Sequence, residues 1–156
     1  MRLGLEGRTA LVTGATSGIG RAVAVELATE GADVVVVGRD TTRLDKVAQD
    51  VETAGRRAWA VAADITELAG TDLVKQQVDD LGGVDVLVNN AGGTPWGGLE
   101  RFDDQQWRDG LRLKPLSYVR LTRDVLPGMK PRAGAGSSTW AGWRAAPRGR
   151  TTTWAW

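Results

Sequence analysis

The chain has 156 residues, is 42% hydrophobic and 25% charged, and carries a net charge of +1. That is enough for one domain with a core, and the near-zero charge points away from nucleic acid and anionic membrane surfaces. With no cysteine and no histidine, disulfides, thiolate chemistry, Ser-His-Asp catalysis and His-ligated metal sites are excluded, so no metal site is expected.

Apolar runs alternate with helical segments, the pattern of βαβ units and a parallel sheet. Thr9–Thr13 reads as the first strand and Gly18–Glu30 as the first helix, with Gly31 as its C-cap. Asp33–Gly38 contains four consecutive valines, typical of a strand buried on both faces. Arg43 to Ala54 is the second predicted helix and Ala58–Ala62 the third strand. Leu68 to Leu81 is predicted helical with an irregularity at Gly70, and Val84–Asn89 is the fourth strand. Phe102 to Leu126 reads as a long helical region in which Pro115 costs a hydrogen bond or marks a break. Trp59, Trp96 and Trp107 read as core or loop-packing groups, with Trp96 also able to line a substrate entrance.

Between the first strand and first helix lies Val12-Thr13-Gly14-Ala15-Thr16-Ser17-Gly18-Ile19-Gly20. A strand, a glycine turn and a helix N-terminus make a phosphate cradle. Glycine lets backbone approach the anion, and the helix end presents free N–H groups and partial positive charge. The plain alternative is a tight turn with no ligand, with Thr16 and Ser17 merely capping the helix. The TGxxxGxG spacing resembles the short-chain dehydrogenase/reductase family in its short branch, and so do Asn89-Asn90-Ala91-Gly92 and Asp64 in Ala63-Asp64-Ile65-Thr66. The resemblance covers about residues 5 to 130.

That resemblance implies an incomplete doubly wound Rossmann sheet of about four strands. It implies cofactor contacts from Gly14, Thr16, Ser17, Gly18, Ile19, Gly20, Asp64, Ile65, Asn90, Ala91 and Gly92. Asp64 would hold the adenine ring, its alternative being the N-cap of the next helix. Asn89 would tie the fourth strand to its neighbours. Arg39 stands where an acid would favour NAD, and its guanidinium suits a 2′-phosphate, so NADP is expected over NAD. Asp40 complicates this, since it could pair with Arg39 or contact a ribose. The implied activity is hydride transfer to or from a small-molecule carbonyl or alcohol, in an enzyme that is usually a homo-oligomer. With no secretory signal and no membrane-length apolar run, the expected location is cytoplasmic.

The chain departs from the family where proton transfer should be. The family uses Tyr-x-x-x-Lys, but the single tyrosine, Tyr118, is followed four positions later by Thr122. No catalytic residue is therefore assigned, and Tyr118 reads as a core or interface residue. Lys114 falls where the family usually has an asparagine that holds a water, its alternative being a surface lysine beside Pro115. The chain is expected to bind cofactor and be inactive as written; the alternative is a non-catalytic dinucleotide-binding remnant.

Residues 1–130 are thus assigned as an NAD(P)-binding Rossmann portion, and 131–156 as an aberrant Arg/Gly/Trp-rich tail, frameshifted and disordered. This tail holds four of the seven tryptophans, Trp140, Trp143, Trp154 and Trp156, and shows no strand or helix period. The four are expected to be exposed. GC-rich codons permitted for Arg132 to Ala145, read two bases later, can spell G-W-G-R-I-I-N-V-G-G-L-A-G-R, which looks like a fifth strand of such a reductase. The alternative is a genuinely unusual C-terminus.

Overall fold

The computed structural model describes residues 4–93, 100, 102–129 and the backbone of 139–141. The elements in order are β1 (Thr9–Thr13), α1 (Gly18–Thr29), β2 (Asp33–Gly38), α2 (Thr41–Thr53), β3 (Ala58–Ala62), α3 (Leu68–Asp80), β4 (Val86–Asn89), α4 (Asp104–Leu111), α5 (Ser117–Met129) and β5 (Thr139–Ala141). The sheet order is β3-β2-β1-β4-β5, and every pairing is parallel. The central strand β1 sets Leu11 beside Val35 on one side and Leu87 on the other.

Alternation along the strands divides the core into two layers. Leu11, Val35 and Leu87 pack with Val74 and Val78 of α3 and with Leu121 and Val125 of α5. Val12, Val34 and Val36 pack with Ala24 and Ala28 of α1 and with Leu44, Val47 and Val51 of α2. Each fully buried Val or Leu contributes about 1.5–3 kcal/mol. Helices on both faces of a parallel sheet are the doubly wound arrangement. Its strand ends bring residues 13–20, 39, 64 and 90–92 to one rim.

Several expectations are corrected. The sheet has five strands: Thr139–Ala141 pairs with Leu87, Val88 and Asn89, within the segment expected to carry no strand and with Trp140 at its centre. β4 begins at Val86, because Asp85 turns its carboxylate back onto the Thr9 N–H and the Arg8 guanidinium. α2 begins at Thr41, since Asp40 caps it by accepting from the Arg43 N–H at 3.0 Å. α3 is regular through Gly70, where a side chain would collide with the Asp64 carbonyl; the glycine serves close packing. Pro115 neither breaks the helix nor leaves it regular. Residues Arg112–Leu116 form a π turn joining α4 to α5, and the Ser117 hydroxyl donates to the Leu113 carbonyl. Trp59 packs beside the core with Arg57 over its ring, whereas Trp107 is half-exposed on α4 against Phe102. Trp96, Trp143, Trp154 and Trp156 lie outside the described residues. Among the described residues no helix is long and apolar enough to cross a membrane.

Candidate functional site

The chain leaves β1 at Thr13 and turns through Gly14, whose φ of +65° is a left-handed conformation suited to glycine. The Ala15 N–H donates to the Val37 carbonyl at 3.1 Å and pins the turn across the sheet. α1 then starts at Gly18. Ser17 occupies its N-cap position in extended backbone, yet its side chain makes no capping bond. The capping alternative for Ser17 is thus unrealised, and its exposed hydroxyl faces outward together with the first-turn N–H groups that a helix cannot satisfy internally. A Cβ on Gly20 would stand 2.2 Å from the Gly14 carbonyl oxygen, so only glycine permits this approach of α1 to the turn. The Thr16 methyl rests against Gly38, and Ile19 stands 75% exposed beside the turn.

The loop after β4 is locked onto this turn. The Thr13 hydroxyl, fully buried, donates to the Val88 carbonyl and accepts the N–H groups of Asn90 and Ala91 at 3.0 and 3.1 Å. The Asn90 amide donates to the carbonyls of Thr13 and Gly14 at 3.0 and 3.2 Å. Asn90 therefore turns its amide inward as a brace, leaving Ala91 and Gly92 along the rim. Thr13 was missed in the sequence. Its signal was a lone hydroxyl closing an apolar strand just before the first glycine. Asn89 ties β4 to its neighbour α5: its amide donates to the Thr122 hydroxyl at 3.2 Å.

At the other end of the rim, Arg39 is well exposed and reaches Asp64 at 3.9 Å. Asp40 does not compete for it, being occupied as the α2 cap and paired with Arg43 at 3.3 Å. Asp64 is not the N-cap of α3; that position is Glu67. One oxygen of Asp64 accepts from the Thr66 N–H and hydroxyl, at 2.9 and 2.7 Å, and the other faces Arg39. Burial opposes its charge, but these hydrogen bonds, with Arg39 and Arg112, outweigh that and hold its carboxyl below the ordinary 3.8. The Ile65 side chain is buried in the core, which leaves its backbone for any ligand contact.

Tyr118 sits at the opposite edge. It is half-buried, its hydroxyl donates to the Ala91 carbonyl at 2.6 Å, and burial raises its pKa above the ordinary 10.0. It is a prop for the loop rather than simply core. Lys114, on the π turn, lays its side chain on Gly92.

A parallel sheet with a glycine turn at the carboxyl end of its first strand defines a Rossmann-type fold. The sequence profile described as short chain dehydrogenase matches residues 8–138, and the chain belongs to that family. It is 33% identical over 150 residues to 2,3-dihydro-2,3-dihydroxybenzoate dehydrogenase of Bacillus subtilis, covering 96% of this chain and 57% of that one. It is 38% identical over 129 residues to D-beta-hydroxybutyrate dehydrogenase of Cupriavidus necator, covering 81% and 49%. Among solved structures, L-sorbose reductase of Gluconobacter frateurii, complexed with NADPH and L-sorbose, superimposes with a TM-score of 0.83 at 38% identity over 89% of this chain and 54% of that one. Carveol dehydrogenase of Mycobacterium avium, in complex with NAD, gives 0.77 at 27% identity over 88% and 54%. The chain spans about half the length of the curated relatives it matches.

Proposed function

We propose that this chain binds NADP(H) along the carboxyl ends of its strands. The observation that carries the reading is the cradle itself. The N-terminus of α1 is uncapped by Ser17, and Gly20 sits where any side chain would fill the approach to Gly14. The pyrophosphate would rest on Gly14, Thr16, Ser17, Gly18, Ile19 and Gly20. Asp64 and the Ile65 backbone would hold the adenine. Ala91 and Gly92 would face the nicotinamide ribose, with Asn90 bracing them. Arg39, exposed and only loosely engaged by Asp64, would take the 2′-phosphate. A structural neighbour solved with NADPH supports this choice, although another was solved with NAD.

When bound, the cofactor supplies or accepts a hydride at its nicotinamide ring. The substrate class we propose is a small carbonyl or alcohol, the chemistry that the relatives' names describe. Proton transfer needs a group that these 156 residues do not provide in the family's form, since no Tyr-x-x-x-Lys occurs. Tyr118 is committed to the Ala91 carbonyl, and its raised pKa makes it a poorer acid. A missing general acid is worth about 10²–10⁴ in rate, so the chain is inactive as written and acts as a dinucleotide-binding unit. The composition of residues 131–156 leads us to attribute that segment to a shifted reading frame. An in-frame Tyr-x-x-x-Lys in the downstream DNA would support this; the lack of any such continuation would refute it.

Arg39→Ser tests the cofactor choice. NADPH affinity should fall about tenfold while NADH affinity stays level, as expected for loss of one charge-assisted phosphate contact. Equal change for both nucleotides would contradict the role. NADPH-dependent turnover of aldehydes or ketones by sequence-verified protein would contradict the claim of inactivity.

A further inference from the structure

Lys114 is one of two cations of the π turn, the other being Arg112. Lys114 is exposed, but its stem passes over Gly92. Its Cε lies 2.7 Å, and its Cγ 3.7 Å, from the point where a Cβ on Gly92 would stand. The stem is therefore laid across the loop that follows β4. Lysine stems usually cover apolar side chains, but Gly92 has none, so packing gives little reason for this placement.

That loop forms one wall of the cradle. The Ala91 Cα lies 2.7 Å from the Cβ position of Gly14, and the Asn90 amide bonds the Gly14 carbonyl. The helix that carries Lys114 also fixes the loop beneath it, through Tyr118 on Ala91 at 2.6 Å. Charge points the same way. Arg112, two residues earlier, is held by Glu67 at 2.8 Å, whereas among the described residues no carboxylate pairs with Lys114. π turns inside helices are frequent at functional sites.

We infer that Lys114 is a cofactor-binding residue, whose ammonium engages the nicotinamide mononucleotide half of a dinucleotide seated on the Gly14–Gly20 turn. This rests on the cofactor reading above. It would close the cradle at the end opposite Arg39 and add a positive charge beside the second ribose and its phosphate.

The test titrates the full chain and its K114M and K114R variants with NADPH and with 2′,5′-ADP, which has the adenosine half and lacks the nicotinamide half. K114M should weaken NADPH binding about tenfold and leave 2′,5′-ADP within about twofold. K114R should restore most of the loss, and the deficit should shrink as salt is raised. An equal loss for both ligands, or none for either, overturns the inference. A wild-type chain that binds 2′,5′-ADP but shows no effect of K114M on NADPH leaves the cradle standing and removes Lys114 from it. Binding of neither ligand by the wild-type chain overturns the cofactor reading and this inference with it. Circular dichroism checks that each variant folds, and K114Q replaces K114M should that variant unfold.

Discussion

Asp33 opens β2 almost fully buried, and two arginines meet it there. Arg56 approaches one oxygen at 2.7 Å; the Arg57 guanidinium approaches the other at 2.7 Å, while its backbone N–H donates to the first at 3.1 Å. Burial alone would raise its pKa, but the hydrogen bonds from Arg57 and the charges of both arginines bring it below 3.8. A lowered folded pKa means stability that is present above the unfolded value and is lost as pH falls through the folded one. The wild-type chain should therefore lose stability in acid below about pH 4 through this group. Asp33→Asn should be about 1–3 kcal/mol less stable at pH 7, with the deficit closing in acid. Urea melts across that range would check both; a deficit independent of pH would contradict the assignment. At the cradle, Gly20→Ala meets backbone rather than a flexible side chain, with the Gly14 carbonyl 2.2 Å from the new atom. It should cost about 1–3 kcal/mol and abolish nucleotide binding; binding retained at wild-type affinity would show that α1 can shift at no cost to the site.

Between elements, the junction of β1 with the loop after β4 hangs on one hydroxyl. Thr13→Val keeps the shape but leaves the N–H groups of Asn90 and Ala91 without their acceptor. A loss of about 2–4 kcal/mol is expected from two stranded donors, with faster amide exchange at residues 90 and 91; unchanged exchange there would contradict the brace. The first three strands and the glycine turn were legible because buried valine runs and glycine spacing are local signals. β5 was not, because three residues in an Arg/Gly-rich segment become a strand through pairing with Leu87–Asn89, a partner about 50 residues away. The π turn was half legible. Pro115 announces a missing donor, but the sequence does not say that the chain continues as a π turn, where the Ser117 hydroxyl donates to the Leu113 carbonyl. At the site, the glycines were readable from spacing. The pairing of Arg39 with Asp64 and of Tyr118 with Ala91 depends on how separate strands and helices meet.

For the whole molecule, the order β3-β2-β1-β4-β5 gathers the glycine turn, Arg39, Asp64 and the Asn90–Gly92 loop on one rim, with two layers of core holding them there. This geometry and family membership support the proposed dinucleotide cradle, while no Tyr-x-x-x-Lys occurs in the sequence. The most direct measurement is a calorimetric titration of the purified, folded chain with NADPH, with NADH as comparator. Saturable binding that favours NADPH is the expected result. A folded chain that binds neither nucleotide would contradict a working cradle.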